Sequence, residues 1–401
     1  MPRSIDPIAL ARIQLASDRA IDRTAAGLFA VKHGRMCASA FAFLRGSAPL
    51  FYRILREHPE LGRGPDGGAW LTGDLHVQNF GAYRTDDARP GRTRVVFGPN
   101  DFDEACVGPV RIDLLRLAVS WLLALDERGL AASARVASCR ALVDGWNAGA
   151  FGARLRARAP RAVTALIARV EARTKASLHR SYLRGSPRKR ALQRDARLWP
   201  ISRATAVRAR EAFAGYAARA GLLHDAGPDH FEVLDVARRV AGTGSLGVER
   251  FAVLSRGGTR GEWIFDVKEE AARSASGLPA EGLRGAARVV RAIVTSALAP
   301  PRMLGTTVFT NARGERASML VRRLSPQEDK LDPAEEGDDE REPLAHYLGW
   351  IAGRMHRRGA VGPLGRAWPR SERDALLERA ITLAGLHEAI QLAYVALRAR
   401  S

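Results

Sequence analysis

The chain has 401 residues, a hydrophobic fraction of 46% and a formal net charge of +20. This length fits two domains or one two-lobed enzyme, and the hydrophobic content is that of a globular protein with a sizeable core. No run approaches the roughly 18–20 uncharged apolar residues of a membrane span, and the first residues lack the apolar core of a secretory signal. Three widely spaced cysteines predict neither a disulfide framework nor a zinc site. We therefore expect a cytoplasmic protein without a membrane partner.

The positive charge is carried almost entirely by arginine, since only five of the 63 basic residues are lysine. Together with abundant alanine and glycine, this indicates a codon preference as much as a nucleic-acid-binding surface. Residues 153–210 are especially rich in arginine and could contact phosphates without reading bases. A solvated basic helical face explains the same stretch, and we favour that interpretation.

The first half of the chain predicts mainly helices. Apolar periodicity indicates helices within residues 1–70 and an apolar, buried helix at 112–125. Between them, two short apolar runs at 80–83 and 93–97 flank a cluster of turn formers and predict a hairpin. Helical periodicity then continues to about residue 222.

The second half begins with strands and ends with helices. Strands are expected from about residue 231 to 324, with one helix at 281–299 between them. Residues 326–343 are acidic and interrupted by proline, which indicates a linker. Helices follow to the C-terminus, so the sequence predicts an α+β fold.

A glycine-rich stretch, GTGSLG, lies within the strand region and runs from Gly242 to Gly247. This G-x-G-x-x-G spacing is weak by itself, because dinucleotide-binding folds use it as well. A dinucleotide fold requires a helix directly after the glycines. Here the runs VERFAVL and EWIFDVKE follow instead, and both predict strands.

The second of these strands carries Lys268. Trp263, Phe265 and Val267 occupy one face, so Asp266 and Lys268 occupy the other. Protein kinases cover ATP phosphates with this arrangement of glycine loop, strand, turn and lysine strand. The alternative is a strand hairpin with an exposed lysine. The residues that we predict to bind nucleotide are Gly242, Thr243, Gly244, Ser245, Gly247 and Lys268.

An earlier segment, GDLHVQN, supplies the second half of the predicted site. Asp74 and Asn79 match D-x-x-x-x-N, in which the aspartate orients a substrate hydroxyl and the asparagine holds magnesium. Asp101 is the expected principal Mg²⁺ ligand and Asp103 a second one, because hard divalent ions prefer carboxylate oxygen. Alternatively, these aspartates only close turns. His76 either ligates metal or, as we favour, bonds the backbone.

These segments resemble the aminoglycoside phosphotransferase and choline kinase branch of the protein-kinase-like superfamily. That branch carries H-G-D-L-H-x-x-N and later I-D-F-D-x-x-x-x-G-x-x-x-x-D-L, with counterparts here at 73–79 and 100–114. The resemblance implies that Asp113 braces the catalytic loop, whereas Thr72 replaces the leading histidine. The chain is also similar, over most of its length, to a bacterial family known as domain of unknown function 2252. That similarity is carried by five segments: HGRMCASAFAFLRGSA, GDLHVQNFGAY, NDFDE, GTGSLG and VKE.

The order of these parts is rotated relative to a kinase. A kinase runs from glycine loop and lysine strand through helix C, hinge and helix E to the catalytic loop, whereas this chain reaches the glycine loop last. The resemblance therefore implies a two-lobed kinase-like fold, circularly permuted between helix E and the catalytic loop. It predicts that His356 lies near Thr72. The expected units are a helical extension (1–70), a mainly helical C-lobe (71–228), an N-lobe with an antiparallel sheet (229–325), an acidic linker (326–343) and helices that complete the C-lobe (344–401). The permutation also predicts that the first 70 and the last 40 residues pack as additions to the kinase-like fold.

Two features leave alternatives open. Helix C of a kinase supplies a glutamate that pairs with the lysine, but here Glu281 is the only acid at 281–299 and Arg288 lies in the middle. Glu269 and Glu270 are the other candidates, and Asp101 could instead hold the lysine in an inactive state. In the segment GRMCASAFAFLRG, two arginines, Arg35 and Arg45, either clamp phosphate or substrate or anchor the N-terminal helices.

The predicted function is an ATP- and Mg²⁺-dependent phosphotransferase with Asp74 and Lys268 as catalytic residues. By analogy with the branch that the motifs resemble, the acceptor is a hydroxyl of a small molecule. Transfer of AMP in place of the γ-phosphate fits the same residues. The alternatives are a catalytically inactive nucleotide-binding pseudokinase and, less favoured, a basic protein associated with nucleic acid. The oligomeric state does not follow from the sequence.

Overall fold

A computed structural model describes residues 5–23, 26–86, 93–152, 159–186, 189–223, 228–244, 246–257, 261–301, 303–325, 328–332 and 338–398. Within these residues the protein is α+β, with 12 α-helices and antiparallel sheets. The helices are α1 (Pro7–Arg19), α2 (Leu28–Met36), α3 (Ala40–Gly46), α4 (Ala48–Glu57), α5 (Val110–Asp126), α6 (Ala132–Ala150), α7 (Arg161–Glu171), α8 (Lys175–Tyr182), α9 (Arg203–Leu223), α10 (Gly285–Ser296), α11 (Arg341–Arg358) and α12 (Arg370–Arg398). The strands are β1 (Gly68–Leu71), β2 (Phe80–Asp86), β3 (Thr93–Pro99), β4 (Cys106–Pro109), β5 (Leu183–Arg184), β6 (Ala191–Leu192), β7 (Leu198–Trp199), β8 (Val233–Arg239), β9 (Arg250–Arg256), β10 (Glu262–Glu269), β11 (Gly305–Thr310), β12 (Arg316–Arg323) and β13 (Glu328–Lys330).

The largest sheet has six antiparallel strands in the order β11-β12-β10-β9-β8-β7. The alternation predicted for β10 is confirmed, because Trp263, Phe265 and Val267 are buried in one apolar cluster. Helix α9 covers this face with Phe213 and Tyr216. The predicted boundary at residue 228 groups α9 with the helical unit, but its aromatic residues pack on the sheet.

The predicted hairpin at 80–97 is present as β2 and β3, which pair in register from Phe80↔Pro99 to Asp86↔Thr93. The predicted acidic linker contains a strand that the sequence did not indicate. Strand β13 pairs antiparallel with β2, and its acidic side chain at Asp329 forms an ion pair with Arg173 of the segment after α7. Pairing with the edge of β2 and the ion pair with Arg173 thus give residues 328–330 a strand conformation, although their composition predicted a loop.

Helices α6 and α11 approach each other through glycines. A Cβ atom on Gly349 would lie 1.9 Å from the carbonyl oxygen of Leu142, and one on Gly353 would lie 2.3 Å from that of Trp146. On the other helix, a Cβ on Gly149 would lie 2.2 Å from a carbonyl oxygen of α11. The backbones are in direct contact, so only glycine fits at these positions.

The N-terminal helices share the main core with the rest of the helical part. Leu10, Phe43 and Phe51 belong to the same buried cluster as α5, α6, α11 and α12. Asp18 of α1 accepts a hydrogen bond from the Tyr394 hydroxyl of α12 at 2.8 Å. The prediction that the first 70 residues pack as additions is therefore wrong, because they are part of this core.

Within the described residues, α12 is long and apolar enough to span a membrane by length and composition, a test that core helices of soluble proteins also pass. One side of α12 is buried in the main core through Leu383, Ile390 and Tyr394. Its exposed positions include Ile381 and Leu392.

Replacing Gly349 by alanine should lower the free energy of unfolding by about 1–3 kcal/mol, because the added methyl group forces the two helix backbones apart. Urea unfolding followed by circular dichroism measures this change. Gly385→Ala in α12 is the matched control, since no atom lies within 4 Å of the added Cβ there. That variant should be unchanged or more stable by up to about 1 kcal/mol. Equal stability of the two variants would contradict the close helix contact.

Candidate active site

The GDLHVQN loop follows β1 and is fixed by a buried carboxylate on α5. Asp113 accepts hydrogen bonds from the backbone N–H of Thr72 at 2.8 Å and of Gly73 at 3.0 Å. His356 Nε2 lies 3.2 Å from the same carboxylate, and its Nδ1 lies 2.9 Å from Trp146 Nε1. Since an indole N–H only donates, Nδ1 accepts and Nε2 donates to Asp113. Thr72 and His356 thus meet at one carboxylate, as the sequence predicted.

Gly73 brings this loop into backbone contact with the NDFDE segment. Its φ is 77°, and a Cβ atom there would lie 1.9 Å from the carbonyl oxygen of Glu104. The Tyr52 hydroxyl of α4 donates to the Gly73 carbonyl at 2.5 Å. Only glycine satisfies both the left-handed conformation and the close approach, so the two acidic segments are held side by side.

Asp74 is the first acidic group of the site. Its carboxylate pairs with the fully buried Arg116, which also donates to the Leu44 carbonyl at 2.8 Å. The Arg116 guanidinium lies 4.8 Å from the ring centre of Phe51. Burial raises the pKa of Asp74 to about 7, although Arg116 opposes the shift. The carboxyl group can therefore gain or lose a proton near neutral pH, as a general base requires.

Asn79 presents an unpaired oxygen to the site. Its side-chain N–H donates to the Asp74 carbonyl at 2.6 Å, and its backbone carbonyl accepts from Asn100 N–H at 3.0 Å. The side-chain Oδ1 is buried and has no hydrogen-bond donor in the part of the chain that the structure describes. A buried polar atom normally has a partner, so this oxygen is a ready ligand for a cation.

The Asp101 carboxylate lines the same cavity as Asn79 and is a second candidate ligand for a cation. Burial alone would raise the pKa of Asp101, but the positive charges of Lys268 and Lys330 outweigh it and hold the pKa below its usual value. Magnesium uses one or two carboxylates together with waters and phosphate oxygens. Asn79 and Asp101 fit that pattern, and no set of three or more His, Cys, Asp or Glu side chains converges as a metal site among the described residues.

Two adjoining cavities contain the predicted residues. The loop cavity, of 160 Å³, lies between the GDLHVQN loop, the N-terminal helices and the glycine segment at 241–249. The sheet cavity, of 310 Å³, lies between the six-stranded sheet, α10 and residues 99–103. Residues that line both are Asp101, Asp103, Gly242, Lys268 and Lys330.

Lys268 is buried at the boundary between the cavities. Its ammonium group forms an ion pair with Asp103 and lies 3.5 Å from the Glu270 carboxylate. Of the candidate partners, Glu269 instead accepts from the backbone N–H of Glu249 at 2.9 Å, and Glu281 is exposed. The expectation that Asp101 could hold the lysine is wrong for this state, since its neighbour Asp103 does so.

Helix α10 contributes a buried arginine beside the NDFDE segment. The buried Arg288 donates to the Asp103 carbonyl at 2.8 Å and also to the Ala105 carbonyl. It therefore ties α10 to the NDFDE segment through backbone atoms. Glu270, directly after β10, is a buried acid whose carboxylate lies 3.5 Å from the Lys268 ammonium. Burial raises the pKa of Glu270 to about 7, while Lys268 opposes the shift.

The glycine segment is positioned by the N-terminal region. Gly242, Thr243 and Gly244 line the loop cavity. The Arg35 guanidinium donates to the Gly242 carbonyl. Gly247 does not line the cavity walls in the described chain but packs on Ile21, 2.8 Å from where its Cβ would lie. Ser245, also predicted to bind nucleotide, lies outside the described residues.

A charge cluster in the sheet cavity was missed by the sequence analysis. Asp266 accepts from Arg239 at 2.7 Å and from Arg250 at 2.6 Å, and Arg322 lies 3.7 Å away. Burial alone would raise the pKa of Asp266, but these arginines hold it well below its usual range. Alternation in the sequence places Asp266 on the same face as Lys268, but its cross-strand pairing with Arg322 is known only from the structure.

A family model described as "Uncharacterized protein conserved in bacteria (DUF2252)" matches residues 24–380. The chain belongs to this family. No curated protein and no solved structure matches it. The DUF2252 match includes the GDLHVQN loop, the NDFDE segment, the glycine segment and Lys268. Helix α1, which also lines the loop cavity through Gln14 and Ser17, precedes the match.

Replacing Asp113 by asparagine should lower the free energy of unfolding by roughly 2–5 kcal/mol, because an amide cannot accept all of the hydrogen bonds that the buried carboxylate accepts. Urea unfolding measures the loss. Asp66→Asn is the control, since the Asp66 side chain is 94% exposed and its pair with Arg111 lies at the surface. An Asp113→Asn protein as stable as that control would show that this carboxylate does not hold the loop.

Proposed function

We propose that this protein is an ATP- and Mg²⁺-dependent phosphotransferase that acts on a hydroxyl group of a small molecule. The observation that carries the proposal is the ion pair between Lys268 and Asp103, which are 165 residues apart in sequence. It joins the lysine strand to the acidic segment, and both segments line one cavity together with Asp74 and Asn79. The chemistry that each motif suggested separately is thereby compatible with a single site.

We also propose a circularly permuted kinase-like fold with the units expected from the sequence, apart from the placement of α9 and the N-terminal helices. The order β8, glycine segment, β9, lysine strand β10, α10, β11 and β12 supports an N-lobe. The residues after α11 support the permutation. Trp70 N–H donates to Gly359 at 2.8 Å, and Val361 N–H donates to Gly68 at 2.9 Å. The end of α11 is therefore hydrogen-bonded to β1, as a helix E leading into the catalytic loop would be.

The proposed roles follow from the chemistry of the side chains. Lys268 and the backbone N–H groups of the glycine segment would hold the nucleotide phosphates, and Asn79 and Asp101 would hold Mg²⁺. The acceptor oxygen forms a bond to the γ-phosphorus, the bond from that phosphorus to the β,γ-bridging oxygen breaks, and ADP leaves. Asp74 accepts the acceptor's proton. Catalysis then consists of positioning and of neutralising charge on the transferred group.

A catalytically inactive nucleotide-binding protein is the second candidate. It is favoured by Arg288, which occupies the place of the acid that pairs with the lysine in active kinases. Glu270 weakens this argument, because it offers Lys268 a buried carboxylate from the residue directly after β10.

Incubation with γ-labelled ATP, Mg²⁺ and a metabolite extract tests the proposal. The native protein should transfer label to a stable phosphate ester, and Asp74→Asn should reduce the rate by at least about 100-fold, since a positioned base contributes that much or more. Asp66→Asn is the control and should keep the native rate. Equal labelling by native protein and Asp74→Asn would contradict the role of Asp74. Stabilisation by Mg-ATP without any labelled product would favour the inactive protein, and label from α-labelled ATP would indicate AMP transfer.

The pH profile of the same reaction is a further check. Because the pKa of Asp74 is about 7 and the ionised form accepts the proton, kcat/KM should rise with pH and level off above about pH 7. Glu270 has a pKa in the same range, so Glu270→Gln separates the two groups. This variant should keep the inflection. A profile that falls with rising pH, or that loses its inflection in Glu270→Gln, would contradict the assignment to Asp74.

A further inference from the structure

The N-terminal helices form one wall of the loop cavity, opposite the glycine segment. Arg45 and Gly46 lie at the end of α3, and a Cβ atom on Gly46 would approach Thr243 to 3.1 Å. On the other side, Arg116 links this wall to Asp74 through the carbonyl of Leu44. The wall is therefore adjacent to the carboxylate that would orient the acceptor hydroxyl.

Arg45 differs from the other cations of this wall in having no acidic partner. Lys32 pairs with Asp18 at 2.7 Å, and Arg116 pairs with Asp74. The Arg45 guanidinium makes no hydrogen bond or ion pair with the residues that the structure describes, and its Nε is buried without a partner. Its neighbour is the Phe41 ring, whose centre lies 5.6 Å away. An arginine in this condition has its hydrogen-bond donors available for a ligand.

The sequence left Arg35 and Arg45 with the same two possible roles, and the structure separates them. Arg35 donates to the backbone of Gly242 and so anchors the glycine segment. Arg45 lines the loop cavity. Among the acids that favour its charge, Asp74 has the largest effect, followed by Glu127 and then Asp101. Arg45 therefore shares a cavity with Asp74, the residue that would accept the proton of the acceptor hydroxyl.

We propose that Arg45 binds an anionic group of the acceptor, and that the acceptor is a small hydroxy compound carrying a carboxylate or a phosphate. This inference rests on the proposed phosphotransferase function. A guanidinium group matches the geometry of either oxyanion through paired N–H donors. Arg45 and Asp74 both line the loop cavity, so one small acceptor can contact both side chains. A cationic group placed against Arg45 would instead meet a like charge.

Calorimetric titration of the full-length protein with sn-glycerol 3-phosphate and with D-glycerate, without nucleotide, tests the inference. Both anions should bind, glycerol and choline should not, and Arg45→Gln should weaken anion binding at least tenfold. Arg45→Lys should recover part of the affinity, because it keeps the charge but not the paired donors. Arg12→Gln on the exposed side of α1 removes the same charge outside the cavity and should bind like the native protein. Equal anion affinity in Arg45→Gln and native protein, or preferred binding of choline, would overturn the inference.

A second measurement distinguishes whether Arg45 binds the acceptor anion or the nucleotide phosphates. The Kd for Mg-ATP should change by less than twofold in Arg45→Gln, with its fold checked by urea unfolding. A tenfold weaker Kd would assign Arg45 to the nucleotide phosphates and overturn the acceptor role. Different results would contradict the proposed phosphotransferase function and the proposed role of Arg45. Anion binding lost in Arg45→Gln but no phosphoryl transfer would remove the proposed function and support the anion site. Transfer to a neutral or cationic acceptor, unaffected by Arg45→Gln, would remove this inference and leave the function.

Discussion

The buried carboxylate of Asp113 is the interaction on which the rest of this structure depends. It accepts the backbone N–H groups of Thr72 and Gly73 and the ring N–H of His356, which is 243 residues away in sequence. A buried charge is tolerated only when its hydrogen bonds are satisfied, so the fold must place all of these donors around the Asp113 carboxylate. The glycine contacts between α6 and α11 serve the same purpose, because they bring Trp146 close enough to orient His356. The loop that carries Asp74 is thus positioned by elements from both ends of the chain.

Charge pairing organises the cavities in a comparable way. Lys268 and Arg288 come from the strand-rich half and bind the NDFDE segment of the helical half, one through the Asp103 carboxylate and one through backbone carbonyls. Asp266 is surrounded by arginines of three other strands of the same sheet, β8, β9 and β12. Burial then decides which groups remain adjustable near neutral pH, since it raises the pKa of Asp74 and of Glu270 to about 7. In the proposed reaction, Lys268 would leave Asp103 for a phosphate, while Asp74 would accept the proton of the acceptor.

The local sequence pattern was sufficient to predict those elements whose residues interact mainly with residues close in sequence. The hairpin at 80–97, the alternation on β10, the buried helix α5 and the helices α11 and α12 followed from periodicity and turn residues. The spacing of GDLHVQN and NDFDE indicated acids that would converge, and the close approach required at Gly73 places these two segments together.

Features decided by distant contacts were not predictable in this way. Helix α9 has no local signal that distinguishes packing on a sheet from packing on helices, and β13 is ordered by the edge of β2. The sequence offered Asp101 and nearby glutamates as partners of Lys268, but tertiary packing selected Asp103. The N-terminal helices were taken as peripheral because nothing in their own pattern shows that Arg35 reaches the glycine segment.

The central claim is that the early acidic segments and the late lysine strand together enclose one magnesium-bound triphosphate. The most direct test is a crystal structure of the full-length protein with Mg²⁺ and a non-hydrolysable ATP analogue. The account predicts magnesium bound to Asn79 Oδ1 and the Asp101 carboxylate, with the Lys268 ammonium moved from Asp103 to a phosphate oxygen. An analogue bound outside the loop and sheet cavities, or a metal that touches neither residue, would contradict it.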